Sequence, residues 1–496
     1  MTDSSDRREQ RLEKLERQRE QGIDPYPPRV ERTHTSAEAL AAYSGEAGET
    51  EVGVAGRLVA IRIMGGSTFA HLADGSGRIQ VYLRRDVLGE ELYDLFRRTI
   101  DLGDFVSARG TLFQTRTGEI TVNVSSWRPV AKTLRPLPEK WHGLRDVETR
   151  YRQRYLDLLA NEDVRTIFVT RSRIVSAVRR FLDEQGYIEV ETPVLQPMYG
   201  GAAARPFTTY HNALGQTFYL RIADELYLKR LIVGGLEKVY EIGHNFRNEG
   251  VDTQHNPEFT AIEMYEAYAD YNDMMCLIEA LYHDVAVRVL GSETITYQGQ
   301  EIVLTPPWRR VSMRDAILEA SGIDIEIERT QDALVRAAAA RGITLVSQSG
   351  WGKAVEKLFE SVVEPRLVQP TFITDFPAEV SPLAKIKPGA PHLVERFEFY
   401  IGTLECGNAF TELNDPLDQR ERFAAQVQAA ADGDAEAHPM DEDYIIAMEH
   451  GMPPTGGLGF GIDRMVMLFT DQASIREVIL FPALRSAAAD SASEPD

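Results

Sequence analysis

Cysteine is nearly missing from this chain of 496 residues: Cys276 and Cys406 are the only two. They stand far apart and outside any Cys-x-x-Cys or Cys/His cluster, which excludes a disulfide framework and a structural zinc site and leaves both as expected core thiols. Long apolar runs are missing too. None approaches the ~18 residues of a membrane span, and the opening MTDSSDRREQ carries charge where a secretory signal carries an apolar stretch. The expectation is a cytoplasmic protein with no membrane partner. Positive charge is in short supply, since 54 Lys+Arg against 76 Asp+Glu leaves a net charge of −22, which alone speaks against a nucleic-acid partner. The local field matters more than the total, however. Lys132, Arg135, Lys140, Arg145, Arg150, Arg152 and Arg154 crowd one stretch, as either a basic face or a solvated linker. The phosphate-binding pattern GxxxxGK[ST] and the zinc pattern HExxH are both absent, and GLGFG (457–461) lacks the dinucleotide spacing.

The hydrophobic fraction of 43% and charged fraction of 26% are ordinary for globular proteins, and the length suits about three domains of ~150 residues. The fold class read from the pattern is α+β. An N-terminal extension (1–50) holds a charge-alternating helix over about Asp6 to Gln21, with Leu12 and Leu15 as its sparse apolar pair. Over 51–133 the pattern becomes short alternating segments broken by glycine: EVGVAGRLVAIRIMG, STFAHLADGSGRIQVYL and DFVSARGTLFQTRTGEITVNV. Five such strands predict an OB-fold barrel, or another small β-barrel used as a structural module. A proline-bearing linker (134–149) follows, then mixed helices and strands over 150–486, with an inserted helical segment at about 292–370 and an acidic disordered tail (487–496).

Three clusters could carry chemistry. KVYEIGHNFRNEGVDTQHNPEFTAIEMYEAY reads as a hairpin of two strands, roughly Lys238 to Arg247 and Phe259 to Tyr268. Period two puts Phe259, Glu263 and Tyr265 on one face, with Arg247 where the first strand meets a loop holding Glu249, His255 and Asn256. A planar guanidinium there can hold a carboxylate and a phosphate, and an aromatic can stack a purine; a solvated surface hairpin is the bland alternative. In ERFEFYIGTLECGNAFTELNDP, Asn408, Phe410 and Glu412 alternate, and Glu398 and Glu405 flank a turn at Gly402. Two such carboxylates can hold Mg²⁺, but strict alternation sends Glu405 to the face opposite Glu412, so a shared site requires a bulge between them. TGGLGFGIDRMVMLF pairs a glycine-dense strand with a helix bearing Arg464 near its start, which suits close approach of a polyphosphate or simply tight strand-to-helix packing.

Upstream, VTRSRIVSAVRRFLDEQG is an amphipathic helix with Ile174, Val178, Phe181 and Leu182 on one side and Gly186 as its stop, followed by an expected strand, YIEVETPVL. In this order the helix and strand with Pro193, then FRNEG, then GLGFGIDR resemble motifs 1, 2 and 3 of the class II aminoacyl-tRNA synthetases. Through YRQRYLDLL, GGAAARPF, YLRIADELYLKRL, HNPEFTAIEMY and GNAFTELNDP the chain most resembles the lysyl-tRNA synthetase family. The resemblance implies an N-terminal OB-fold anticodon domain on a catalytic domain with an antiparallel sheet flanked by helices. It implies ATP-dependent activation of L-lysine to lysyl-adenylate and transfer to the 3′ end of tRNA(Lys), with Mg²⁺ as cofactor and a homodimer built on motif 1.

Matched motif by motif, the family's catalytic residues fall on Arg247 and Arg464. Its lysine-binding residues fall on Gly201, Glu225, Arg247, Glu263, Tyr265, Asn408, Phe410 and Glu412, and its ATP-binding residues on Arg247, Glu249, His255, Phe259 and Arg464. The metal carboxylates fall on Glu398 and Glu405, and the anticodon residues on Phe69 and Gln80. A buried ammonium requires an anionic, hydrogen-bonded partner, which agrees with the acidic lining. Three rivals are weighed against this. A paralogue that lysylates an elongation factor lacks the OB domain and tends to carry alanine where this chain has Gly459. An aspartyl- or asparaginyl-tRNA synthetase should not offer so acidic a pocket. A non-catalytic tRNA-binding regulator has no need of Arg247, Arg464, Glu398 and Glu405 together.

Overall fold

The structure is a computed structural model that describes residues 2–137, 144–345, 350–431 and 438–485, with the side chains of 2–5 left aside. The expected tail (487–496) and Lys140 of the linker lie outside the described residues. The chain divides into two compact units, Met1–Arg145 with Tyr155–Ala160 and Asp146–Arg154 with Asn161–Asp496.

In the first unit, helix α1 (Thr2–Glu20) precedes a closed barrel of β1 (Glu51–Met64), β2 (Ser67–Asp74), β3 (Gly77–Arg84), β4 (Phe105–Gln114) and β5 (Ile120–Ala131) in the order β1-β2-β3-β5-β4. Alternation decides which side chains go inside: Ala70 and Leu72 of β2, Ile79, Val81 and Leu83 of β3, and Val122 and Val124 of β5 fill the barrel. The intervening residues Phe69, His71, Gln80 and Tyr82 therefore point outward. Closure leaves no sheet edge unpaired.

Lys132, at the end of the barrel, does not serve a basic face. It is buried, donating to Asp101 at 2.6 Å and Asp104 at 2.7 Å. In the second unit Arg150 is paired with Glu477, Arg152 with Glu148, and buried Arg154 donates to the carbonyls of Leu480 and Arg476. The cationic stretch of the sequence is thus largely a set of internal pairs, which neither a basic face nor a solvated linker describes.

The second unit is built on a nine-stranded sheet. Its strands are β6 (Ile188–Glu189), β7 (Lys238–Phe246), β8 (Glu258–Ala267), β9 (Arg309–Ser312), β10 (Thr371–Pro377), β11 (Ala390–Ile401), β12 (Leu404–Thr411) and β13 (Thr455–Gly461), in the order β9-β10-β11-β12-β13-β8-β7-β6; Ile386–Lys387 adds a short ninth strand on β11. The central pairs are antiparallel, whereas β9 with β10 and β6 with β7 are parallel. Helices α2 (Glu162–Glu184) and α4 (Tyr271–Leu290) cover one face, where Ile174, Val178, Leu182, Ile278, Leu281 and Tyr282 pack on Ile262, Met264, Phe399, Leu458 and Phe460. Period two leaves Glu263, Tyr265, Glu398, Asn408, Phe410, Gly457 and Gly459 on the other face.

Three expectations need correction. YIEVETPVL is strand only at its ends, Ile188–Glu189 and Leu195–Gln196, because the segment runs along the sheet's edge, finds few backbone partners and contains Pro193, which cannot donate. The 292–370 segment is not helical throughout: Thr294–Tyr297 and Gln300–Val303 form a hairpin and β9 joins the sheet, following the alternation in TITYQGQEIV, before the helices Met313–Ser321, Gln331–Ala339 and Trp351–Val362. Cys406 is buried, but Cys276 is exposed, one position off the buried stripe of α4 that includes Met274, Met275 and Ile278. Among the described residues no helix is long and apolar enough to cross a membrane.

Candidate active site

A cavity of about 420 Å³ opens on the face of the sheet opposite helices α2 and α4. It is lined by Gly201, Glu225, Arg247, Glu249, His255, Phe259, Glu263, Tyr265, Glu398, Glu405, Asn408, Phe410, Glu412 and Arg464 together, so the sequence-expected catalytic, amino-acid, nucleotide and metal positions converge. The register explains how. Asn408 pairs with Gly459 and Phe410 with Gly457 on one side of β13, while Glu263 pairs with Gly459 and Tyr265 with Gly457 on the other. The two glycines form a floor without side chains: a Cβ on Gly457 would run into the Glu412 carboxylate, and one on Gly459 into that of Glu263. Gly201 sits at φ +83°, where a Cβ would press on Ala223 and Glu225 at 3.1 and 3.2 Å, so only glycine fits without strain.

The bulge that Glu405 requires is present. Phe399 pairs with Gly407 but Tyr400 pairs with Glu405, so Cys406 is an extra residue and Glu405 turns to the face of Glu398 and Asn408. Glu398 accepts from Arg396 and from the Tyr400 hydroxyl, both at 2.6 Å. Burial pushes its carboxyl up to about 7, against the pull of Arg396 and with the push of Glu405. Arg464, in the first turn of helix α5 (Ile462–Phe469), donates to the Glu405 backbone carbonyl and lies 3.4 Å from its carboxylate. Arg247 stands one residue past β7 with its guanidinium 5.1 Å from the centre of the Phe259 ring. Burial lowers it, while Glu249, Glu405 and Glu263 hold it up. His255 keeps to the loop, bonded to Asp252 at 2.9 Å.

The cavity's deepest part is acidic. Glu225, in the first turn of helix α3 (Glu225–Val233), and Glu412 both meet the ammonium of Lys229, which is wholly buried. Tyr265 donates to Glu263 at 3.2 Å. Burial raises Glu263 well above the usual carboxylate range, helped by Asp224 and Glu225, and raises Glu412 against the pull of Lys229. Burial also acts to lower Lys229, but Glu225 and Glu412 outweigh it and hold the ammonium above its ordinary value.

Several contributors escaped the sequence reading. Lys229 lies four residues after Glu225 on one helix, a spacing that signals an ion pair. Arg396 donates to Asn408 at 3.0 Å as well as to Glu398, tying the amide to that carboxylate; only its alternation with Glu398 gave a hint. On the barrel, Phe69 and Gln80 lie on neighbouring strands as expected, and Phe69 is half-buried and stacked on Tyr82 with centroids 4.2 Å apart, outside the barrel core. Gln80 donates to Glu119 at 2.7 Å and accepts from Thr121 at 2.8 Å, while His71 meets the other Glu119 oxygen at 2.8 Å. Neither Tyr82 nor Glu119 was singled out.

Comparison with known proteins agrees with this geometry. The family described as tRNA synthetases class II (D, K and N) matches residues 146–485, and OB-fold nucleic acid binding domain matches 52–130. The chain is similar to the lysine--tRNA ligase of Chloroflexus aurantiacus, 57% identical over 97% of this chain and 98% of that one. It is similar to that of Roseiflexus castenholzii, 59% identical over 96% and 98%, and to that of Bacillus subtilis, 51% identical over 97% of each. From the family match across the catalytic unit and identities this high over nearly the full length, the chain belongs to the class II tRNA synthetases, in the lysine--tRNA ligase family.

Proposed function

We propose that this protein joins L-lysine to the 3′ end of tRNA(Lys) in two steps, activating lysine with ATP to lysyl-adenylate and then transferring it. The observation that carries the reading is the convergence of buried Glu225 and Glu412 and half-buried Glu263 on one cavity over the Gly457 and Gly459 floor, a lining that an ammonium-bearing substrate can pair with. In this assignment Gly201 and Glu225 receive the α-amine and Arg247 the carboxylate. Glu263, Tyr265, Asn408 and Glu412 surround the side-chain ammonium while Phe410 packs its methylenes. Glu249, His255, Phe259 and Arg464 hold ATP, with Arg247 also on the α-phosphate.

Glu398 and Glu405 fit a magnesium ion. They present hard carboxylate oxygens on one face of the sheet beside Arg464, and the burial that raises Glu398 would be relieved by a cation. Magnesium bound there would neutralise phosphate oxygens and orient the pyrophosphate leaving group. Arg247 brings the lysine carboxylate to the α-phosphorus, where a carboxylate oxygen bonds to phosphorus as the bond to pyrophosphate breaks. Arg247 and Arg464 offset the developing charge, so positioning and electrostatics suffice without a dedicated base. The 3′-hydroxyl of the terminal adenosine then attacks the lysyl carbonyl and AMP departs.

The division of labour follows the two units, with 51–133 reading the anticodon and 150–486 doing the chemistry. Phe69 on Tyr82 offers an aromatic surface for a splayed base, and Gln80 with Glu119 offers edge contacts to the central U. A homodimer through motif 1 is supported by Ile188, Val194, Leu195 and Met198, apolar side chains that lie exposed along that segment. The reading places the protein in the cytoplasm. Charging of a tRNA(Lys) transcript with labelled lysine, ATP and Mg²⁺ tests it. Acid-precipitable lysine that is lost on chelation, and lost on changing the central U, is the expected result; charging indifferent to the anticodon would remove the barrel's part, and no charging would remove the whole.

A further inference from the structure

Helix α3 begins with Glu225 and places Lys229 one turn later, so both side chains leave the same helical face. The Lys229 ammonium, out of reach of solvent, meets Glu225 on one side and Glu412 on the other. Tyr265, whose ring centre is 5.8 Å from Nζ, Tyr444 and His438 complete its surroundings, and none of them brings a competing positive charge, since burial pushes His438 down to about 4. Glu412 is only half used by this arrangement. Its Oε2 is the oxygen in ion contact with Lys229, while neither oxygen accepts a well-formed hydrogen bond, and Oε1 lies over the Gly457 floor of the cavity. A buried carboxylate oxygen left without a partner and facing a cavity is a place for an incoming donor.

We propose that Lys229 is a specificity-determining positioning residue: its ammonium ties Glu225 to Glu412 and thereby fixes the separation between the carboxylate that receives the substrate's α-ammonium and the one that receives its side-chain ammonium. The inference rests on the lysine-activating assignment above and deepens it. The chemistry of the lining supports it as well as geometry. Glu225, Glu263 and Glu412 line the cavity and Lys229 meets only Glu225 and Glu412, so carboxyl groups remain to receive a substrate carrying two ammonium groups, with Arg247 left for its carboxylate. Without the tie, two like charges would move apart and the distance between the recognition points would no longer be set. Chain length is then the property that suffers. Ornithine, one methylene shorter, is the competitor that a fixed separation rejects.

The test uses the full-length enzyme in pyrophosphate exchange, with lysine and ornithine each measured as substrate and as competitive inhibitor, for the wild type, Lys229→Met and Lys229→Arg. One methylene is worth about 10–200-fold in a fitted pocket, so both variants should lower the preference for lysine over ornithine by about tenfold or more, mainly through the KM for lysine, with the KM for ATP unchanged. Lys229→Arg keeps the charge and changes only the spacing, and so serves if Lys229→Met does not fold. A lysine that merely stabilises the fold would lower both substrates equally; an unchanged preference in a folded variant of either kind overturns the proposal. A wild type that shows no lysine-dependent exchange overturns instead the functional reading beneath it.

Discussion

On the barrel, Glu119 keeps 46% of its side chain in solvent while it accepts from Gln80, and Phe69 lies half-buried against Tyr82. In the catalytic unit, Glu225 and Glu412 are withdrawn from water around a buried ammonium, and Glu263 lines the same cavity half-buried. The same kinds of side chain thus work under opposite dielectric conditions. In water a carboxylate costs little and discriminates little, so the proposed reading of a base by the barrel relies on stacking and on the pattern of its donors and acceptors. Out of water an unmatched charge is expensive, so the cavity can reject a substrate by charge alone.

Single substitutions should cost most at the cavity. Arg247→Ala removes a cavity-lining guanidinium that, in the proposed assignment, meets both reacting groups, and should cost at least about 3–4 kcal/mol of transition-state stabilisation, read as the rate of adenylate formation in a single turnover. Near-normal rates in the folded variant would strip Arg247 of that role. Glu412→Gln should weaken lysine by about 2–5 kcal/mol and leave ATP almost untouched, because lysine alone brings the ammonium. Equal losses for both would show that Glu412 merely supports the fold.

A pH experiment sharpens the dielectric side. Burial pushes the Asp224 carboxyl up to about 7, opposed by Arg221 and aided by Glu241. Its pKa in the folded state lies above the unfolded value of 3.8, so the folded protein holds the proton more tightly, and this group's favourable contribution is present at low pH and lost as pH rises from about 4 to 7. Asp224→Asn should therefore melt close to wild type near pH 4 and gain on it as the pH rises, being more stable by about 1–3 kcal/mol at pH 8. A variant less stable at both pH values would mean that Arg221 keeps Asp224 ionised. At the barrel, Phe69→Ala should raise the KM for tRNA by about 1–3 kcal/mol equivalent, with melting temperature and lysine-dependent exchange nearly unchanged. A large fall in melting temperature with intact tRNA affinity would place Phe69 with the core instead.

How much of this was legible in the sequence differs between the same two regions. Period two alone put Phe259, Glu263 and Tyr265 on one face, and the hairpin came within one residue of its observed strands because its alternation is unbroken. The Glu405 bulge was legible only as a requirement, since one extra residue leaves no compositional trace. YIEVETPVL alternates like a strand, yet strand pairing depends on a neighbour that local pattern does not reveal. Lys132 reads as part of a basic face or a solvated linker, and Lys229 carries no signal beyond its spacing from Glu225, because burial against Asp101 and Asp104, or against Glu412, is decided by residues distant in sequence.

The claim that buried carboxylates select the substrate by its charge is tested most directly by pyrophosphate exchange with the wild-type protein, offered each standard amino acid and norleucine in turn. Norleucine matches lysine in chain length and lacks only the side-chain ammonium. The account predicts exchange with lysine, with norleucine weaker by at least about 100-fold, because it would leave Glu412 and Glu263 unmatched. Comparable exchange with norleucine or with any neutral amino acid would contradict it.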